Sequence, residues 1–145
     1  LASLAYAHRQ YEPAREWFDR LHRADPGEAI ATHGLVQANR MLGLDPARTR
    51  DLAEGLSQRF PESVDFALSF AKSLVEEVPI TAALPKIEQI AAHFAFDPAA
   101  HFYLGKAYFL AERFPEARKE LEETLEIAPR FSESTEIKAM LERIP

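Results

Sequence analysis

Histidines and carboxylates are the residues of this sequence that could take part in acid–base or metal chemistry, because the chain holds 5 His, 23 Asp and Glu, and no Cys. The absence of Cys excludes disulfides, thiolate catalysis and Cys-ligated zinc. The histidines are dispersed, at His8, His22, His33, His93 and His101. A metal site is conceivable only where His93 and His101 approach across a turn at Asp97, and a satisfied or exposed histidine pair is the favoured interpretation there.

Motifs that position a nucleophile, a metal or a nucleotide are absent from the sequence. It has no glycine-rich phosphate loop, no nucleophile elbow and no His-Glu-x-x-His segment. The acidic run from Glu116 to Glu126 contains the pairs Arg118–Glu122 and Lys119–Glu123, whose spacing of four residues is typical of a solvated helix face. We therefore expect no enzyme activity, no cofactor and no bound metal.

Charge and hydropathy narrow the class of partner. The formal net charge is −6 at pH 7, and 47% of the residues are hydrophobic. Nucleic-acid binding draws most of its affinity from Lys and Arg, so we expect no nucleic-acid partner and rank an RNA-reading helical repeat third among the possible functions. Apolar stretches such as residues 66–75 are shorter than the roughly 18 residues that a bilayer requires, so no membrane insertion is expected.

The beginning of the chain and its composition suggest an origin without fixing a compartment. The sequence starts at Leu1 with no Met and no charged, apolar leader, so we expect it to be a fragment of a longer protein. Helices rich in Ala and Arg are of a bacterial style. Neither feature assigns a localisation.

Proline spacing divides the chain, because proline has a fixed φ and no backbone N–H and so marks helix boundaries. One series is Pro26, Pro61, Pro98 and Pro129, and a second, interleaved series is Pro13, Pro46, Pro79 and Pro115. Each series has a mean spacing of about 34 residues, so each period holds two elements. Asp25, Asp45 and Asp97 directly precede prolines and are predicted to be helix N-caps.

Apolar residues between these marks recur three and four positions apart, as they do in a helix. No run of alternating Val, Ile and Thr predicts a strand. The pattern predicts nine helices, at about residues 1–9, 12–24, 28–42, 46–59, 62–76, 82–95, 98–111, 114–127 and 131–143. The predicted fold class is all-α.

Residues 98–129 resemble a tetratricopeptide repeat, a pair of antiparallel helices with a period of about 34 residues. The positions that fit the family pattern are Leu104, Gly105, Tyr108, Phe114, Ala117, Leu121, Leu125 and Pro129. Residues 11–26 resemble the second half of such a repeat. Residues 27–61 and 62–97 keep the apolar stripes expected of two more repeats. In residues 62–97 the turn between the two helices, Val78 to Leu84, is predicted to be longer than usual for the family.

The resemblance implies a single domain over residues 1–145, a right-handed superhelical array of antiparallel helix pairs that forms a TPR-like α-solenoid. It would hold about four repeats and a C-terminal capping helix, at about residues 1–26, 27–61, 62–97, 98–129 and 131–143. Stacking of neighbouring pairs supplies the core of such arrays. Gly105 and Ala117 are expected where two helices cross most closely.

A concave groove lined by the first helix of each pair follows from this architecture. Helix phase places on its wall Tyr6, Thr32, Val36, Asn39, Arg40, Asp65, Ser69, Lys72, Phe102, Lys106 and Phe109. The predicted partner-binding residues are Tyr6, Asn39, Arg40, Lys72, Phe102, Lys106 and Phe109. Their cations and aromatics suit an acidic peptide with apolar anchors. The alternative is that Tyr6 and Phe109 face the core and the cations are ordinary solvated residues.

The resemblance implies a non-catalytic scaffold that binds an extended peptide or a helix of a partner protein in this groove. The family's chaperone-tail-binding members use an Asn, Lys and Arg carboxylate clamp, but several of the corresponding positions here hold Thr32, Val36, Asp65 and Ser69. The alternative function is a structural spacer or oligomerisation segment of a larger enzyme or of a secretion or export assembly, in which the chain could form a homo-oligomer.

Overall fold

The computed structural model describes residues 2–145, with side chains described from Arg9 onward. Within these residues every regular element is an α-helix, which confirms the all-α prediction. The eight described helices are α1 (Ala2–Ala24), α2 (Ala29–Leu42), α3 (Pro46–Arg59), α4 (Val64–Glu77), α5 (Ile80–His93), α6 (Pro98–Leu110), α7 (Phe114–Ile127) and α8 (Ser134–Arg143).

The helices belong to two compact units, Leu1–Ser73 and Leu74–Pro145. In the first unit α1 packs against α2, and α2 packs against α3. In the second unit α5 packs against α6, α6 against α7, and α7 against α8. In each of these pairs the two helices follow one another in sequence, as the short connections between them favour.

The prediction of separate helices at residues 1–9 and 12–24 is wrong, because α1 is continuous and contains Pro13 in its interior. Residues 9–12 (Arg-Gln-Tyr-Glu) include no Gly, Asn or Asp to favour a turn. An interior proline removes one backbone hydrogen bond and costs roughly 3 kcal/mol, but it supplies no left-handed residue to reverse the chain. Proline without a turn residue therefore does not end this helix.

The connection from α2 to α3 shows what such a reversal requires. Gly43 has φ 65° and Asp45 has φ 45°, so two residues occupy the left-handed region. The Leu44 amide donates to the Asn39 carbonyl at 2.9 Å and closes the end of α2. Pro46 then begins α3 at a position where its missing N–H costs no hydrogen bond. Asp45 occupies the predicted N-cap position, but its side chain makes no capping hydrogen bond.

The predicted long turn from Val78 to Leu84 is also wrong, because α5 begins at Ile80 and includes Pro85. Ala83 and Ile87 lie one helical turn apart and are both buried. Burial of this stripe favours a helical first turn of α5. The connection between α4 and α5 is therefore only the two residues Val78 and Pro79.

Side-chain capping follows the Asp-Pro pattern at the start of α6 but not at the start of α2. The Asp97 carboxylate caps α6 as predicted and accepts from the Ala99 amide at 2.8 Å. At α2 the cap is Glu28 rather than Asp25, since the Glu28 carboxylate accepts from the Ile30 amide at 3.1 Å. Glu28 directly precedes the first helical residue, whereas Asp25 lies four residues before it.

At two helix crossings one helix carries a glycine, and the neighbouring helix leaves no room for a side chain at that position. A Cβ atom at Gly34 of α2 would lie 2.5 Å from the ring of Phe18 in α1. A Cβ atom at Gly105 of α6 would lie 2.8 Å from Leu121 in α7, which confirms the expected close approach at Gly105. Ala117 is fully buried at 0% exposure in the same unit. Each unit therefore contains a glycine whose missing side chain permits the helices to touch.

We expect Gly105→Ala to be less stable than Gly55→Ala, a matched change in the interior of α3 where nothing lies within 4 Å of the added carbon. Both variants gain helix propensity, but only the change at Gly105 overpacks a crossing, at a cost of roughly 1–3 kcal/mol. Urea unfolding followed by circular dichroism measures the difference. Equal stability of the two variants would show that the crossing can relax.

Candidate protein-binding surface

The sequence-predicted groove residues lie on α1, α2 and α4 in the first unit and on α6 in the second. Tyr6 lies in α1, but its side chain is outside the described residues. The other predicted positions include buried side chains, side chains bonded within the chain, and a cation whose charge is open to a partner. Their contacts decide which of them a ligand could reach.

Asn39 is completely buried, at 0% exposure, and links three helices. The Arg15 guanidinium donates through Nε to Asn39 Oδ1 at 2.9 Å. Asn39 Nδ2 donates to Thr49 Oγ1 at 3.1 Å. α1, α2 and α3 therefore meet at one amide, and the structure places this predicted groove residue inside the packing of the first unit.

Arg40 is partly buried and donates hydrogen bonds from α2 to α4. Its Nη1 donates to Ser69 Oγ at 2.7 Å, and its Nη2 donates to Ser73 Oγ at 2.6 Å and also to the Ser69 carbonyl. Charge-assisted bonds of this kind are among the stronger ones in proteins. The guanidinium therefore fixes the position of α4 on α2 as well as bringing a positive charge to this face.

Lys72 lies on α4 between the two serines that Arg40 contacts and is partly buried. Among the described residues it has no hydrogen-bond or ion-pair partner. Ser69 and Lys72 are three residues apart, so both lie on the α4 face that Arg40 contacts. Asp65, one turn before Ser69, is exposed on the same face.

Other predicted wall residues of α2 are core residues. Thr32 is buried and donates its hydroxyl hydrogen to the Glu28 carbonyl at 2.9 Å. The Thr32 hydroxyl oxygen is 2.8 Å from Nδ1 of His22 in α1. Val36 has no exposed surface. These side chains hold α2 in place and are not available to a ligand in this structure.

An aromatic cluster outside the predicted groove residues lies at the start of α4. The rings of Phe60 and Phe66 meet edge to face with centroids 5.5 Å apart, and His33 of α2 lies 5.2 Å from Phe66. Phe60 is 38% exposed. Burial lowers the pKa of His33, and the Arg40 charge lowers it further against the opposing effect of Asp65. The imidazole is therefore neutral near pH 7, and the cluster offers an apolar surface.

The second unit uses its predicted groove residues to hold α8. Phe102 is 2% exposed in the core, and its ring is 5.5 Å from that of Phe131. Lys106 Nζ is 2.7 Å from the Glu136 carboxylate of α8. The Arg143 guanidinium of α8 lies 5.3 Å from the centre of the Phe109 ring. The face of α6 predicted to bind a partner is thus in contact with the capping segment of the same chain.

A second polar cluster joins α5, α6 and α7. Tyr108 donates its hydroxyl hydrogen to Glu88 at 2.9 Å, and burial together with this carboxylate raises the pKa of Tyr108 to about 12. The Arg113 guanidinium lies 4.7 Å from the centre of the Tyr108 ring and 2.7 Å from Glu116. The phenol therefore stays protonated at any physiological pH and keeps its hydrogen bond to Glu88.

The described part of the chain contains neither a metal-binding group nor a membrane-spanning helix. No group of three or more His, Asp and Glu side chains is placed to hold a metal ion among the described residues. His101 is bonded to Glu120 and to the Ala95 carbonyl, while the His93 ring meets the Phe94 ring edge to face with centroids 4.7 Å apart. Residues 2–145 include no helix with the length and apolar character needed to cross a bilayer.

Comparison with known proteins identifies one repeat and the fold. Residues 98–131 match the tetratricopeptide repeat family model. A search of curated proteins finds no match to the chain.

Two solved structures resemble the chain closely in backbone. A double mutant described as MamA RS-1 ArsTM is 19% identical, with a TM-score of 0.70 over 84% of this chain and 68% of that chain. TTC0263, a thermophilic TPR protein from Thermus thermophilus, is 19% identical, with a TM-score of 0.72 over 97% of this chain and 75% of that chain. At this identity the likeness establishes the fold.

We expect Asn39→Ala to destabilise the first unit by roughly 1–3 kcal/mol, because it leaves Arg15 and Thr49 without their buried partner. Gln37→Ala, an exposed change in the same helix, is the matched control and should have little effect. Fluorescence of Trp17, the single Trp of the chain, follows urea unfolding of this unit. Similar losses in both variants would contradict a structural role for Asn39.

Proposed function

Because the chain contains a tetratricopeptide repeat at residues 98–131 and has the fold of tetratricopeptide-repeat proteins, we propose that it binds an extended segment or a helix of a partner protein along the first helices of its pairs. The fold is a general scaffold for protein–protein interaction. Proteins built on it are generally non-catalytic. In this chain we assign the binding surface to the α4 face that holds Lys72 and the ligand to a peptide with an acidic group.

The position of Lys72, which has no partner among the described residues, is the main support for this proposal. Lys72 is a partly buried residue on α4, three positions after the Ser69 that Arg40 contacts. A carboxylate of a bound peptide would meet two positive charges in a partly desolvated site, where electrostatic attraction exceeds that on an open surface. An acidic ligand group fits this position.

Phe60 and Phe66 supply an apolar anchor for the same ligand. Phe66 precedes Lys72 by six residues on α4, which is a rise of about 9 Å along the helix axis and a rotation of about 120° around it. Aromatic residues and Arg are enriched among residues that dominate binding energy. A peptide with an apolar side chain about two or three residues from an acidic one would span this distance when extended. The proposed ligand therefore combines both features.

We expect Lys72→Glu to weaken binding of labelled peptides that alternate Glu or Asp with Leu or Phe, by about tenfold, because charge attraction becomes repulsion. Lys138→Glu, on the exposed face of α8, makes the same change in net charge and should leave affinity unchanged. Fluorescence anisotropy at two salt concentrations measures both.

The triple variant Arg40→Ala, Lys72→Ala, Lys106→Ala should weaken the same peptides several-fold. Arg40 and Lys106 also make contacts within the chain, so its folding is checked by circular dichroism. Unchanged affinity in a folded triple variant, or equal effects of Lys72→Glu and Lys138→Glu, would remove the cationic part of the proposal.

The alternative function, an oligomerisation or spacer segment, draws support from α1. Trp17 is 57% exposed and Leu21 is 37% exposed, and they lie one helical turn apart. Two large apolar side chains on one exposed stripe are a common element of self-association surfaces. If the segment dimerises through this stripe, Trp17→Ser should shift sedimentation equilibrium from dimer to monomer. A monomeric parent chain would reject this alternative.

A further inference from the structure

His101 lies in the first turn of α6 and contacts two other parts of the second unit. Its Nδ1 is 2.6 Å from Oε2 of Glu120 in α7. Its Nε2 is 2.6 Å from the carbonyl oxygen of Ala95, in the turn between α5 and α6. The side chains of His101 and Glu120 are 16% and 14% exposed, so the bond between them is partly buried. The bond to Ala95 lies at the surface.

Both contacts of His101 are hydrogen-bond acceptors, and this decides the charge of the ring. A carboxylate and a peptide carbonyl donate no hydrogen, so both ring nitrogens must carry one. A neutral imidazole has a single N–H and can satisfy only one of the two, whereas the imidazolium donates to both. The geometry of the three groups therefore requires protonated His101.

We propose that His101 is a proton-dependent clasp, which as the imidazolium ties the α5–α6 turn to α7 and on losing its proton releases that turn. The N–H directed at the Glu120 carboxylate is retained, because that bond keeps its charged acceptor. The lone pair then formed on Nε2 faces the Ala95 oxygen and repels it. The turn that is released carries Phe96, whose side chain is 96% exposed.

Charges around the His101 ring favour its protonated form, which the clasp requires. Burial by itself lowers the pKa of His101, but the bonds to Glu120 and Ala95 and the charges of Glu120 and Glu123 outweigh it and raise the pKa above the ordinary value. Of the other ionisable groups near this turn, the Asp97 carboxylate accepts from the Ala99 amide, and the His93 ring meets the Phe94 ring edge to face. The acids of α7 therefore control the protonation of His101.

The sign of the pH effect follows from the raised pKa. The folded protein binds the proton more tightly than the unfolded chain, so the clasp contributes its full stability below the unfolded value of about 6.5. That contribution is lost as the pH rises through the pKa of His101 in the folded protein. The clasp is therefore closed in mildly acidic solution and opens as the pH rises through the raised pKa of His101.

Nuclear magnetic resonance of the intact chain tests the clasp through two observables. Nitrogen shifts of His101 should show two protonated ring nitrogens at pH 6. The protection factor of the Asp97 amide, which donates to the Phe94 carbonyl at 3.0 Å, reports on the turn. We expect it to fall about tenfold as the pH rises through the His101 pKa, in step with the loss of one charge-assisted hydrogen bond.

Variants separate the clasp from general effects of pH. Glu120→Gln removes the charge and should move the midpoint of the change in protection to lower pH. His101→Gln should give low protection at every pH, and His93→Gln, the matched control, should behave like the parent. A parent chain with pH-independent protection, a neutral His101 at pH 6, or a midpoint that Glu120→Gln leaves in place would each overturn the proposal. The parent titration decides the question even if a variant does not fold.

Discussion

The close contact between paired helices is the constraint on which both units depend. At Gly34 and Gly105 the backbone of one helix lies so near its neighbour that a single added carbon would overlap Phe18 or Leu121. Contact at this distance brings the flanking apolar stripes together, and their burial is the main favourable term in folding. It also sets the positions of the polar side chains on either side of each crossing, including Asn39, Arg40 and His101. The hydrogen bonds of these residues form because the paired helices lie so close together.

Side chains on the first helices of the pairs share two roles, holding the helices together and presenting a surface. Asn39 and Phe102 serve packing alone in this structure, because neither is exposed enough to touch a ligand. Arg40 and Lys106 have partners within the chain and yet carry charge to the same face. Lys72 has no such partner among the residues from Arg9 onward. Of the predicted partner-binding residues whose side chains the structure describes, all but Lys72 therefore make packing or polar contacts within the chain.

Sequence patterns predicted some helices more accurately than others, and particular residues explain the difference. Helices α6 and α7 have a cap at Asp97, a glycine at the crossing and a regular apolar stripe, so local and tertiary preferences agree. Pro13 and Pro85 lie inside helices, although proline usually marks a boundary. At Pro85 the buried stripe of Ala83 and Ile87 favours the helix. At Pro13 the flanking residues offer no turn in its place. The binding residues were harder to predict, because helix phase gives the direction of a side chain but not the helix that comes to cover it.

The sequence by itself determined the all-α class, the paired-helix period and the repeat at residues 98–129, because proline position and apolar spacing act within a single turn or helix. The family model matches this repeat over residues 98–131. Tertiary structure alone decided that Asn39 is bonded from both sides, that α8 contacts Lys106, and that His101 reaches Glu120. Each of these contacts joins residues at least ten positions apart. Hydrogen bonds and ion pairs act over only a few ångströms, so such pairings exist only once the packed helices have brought their partners together.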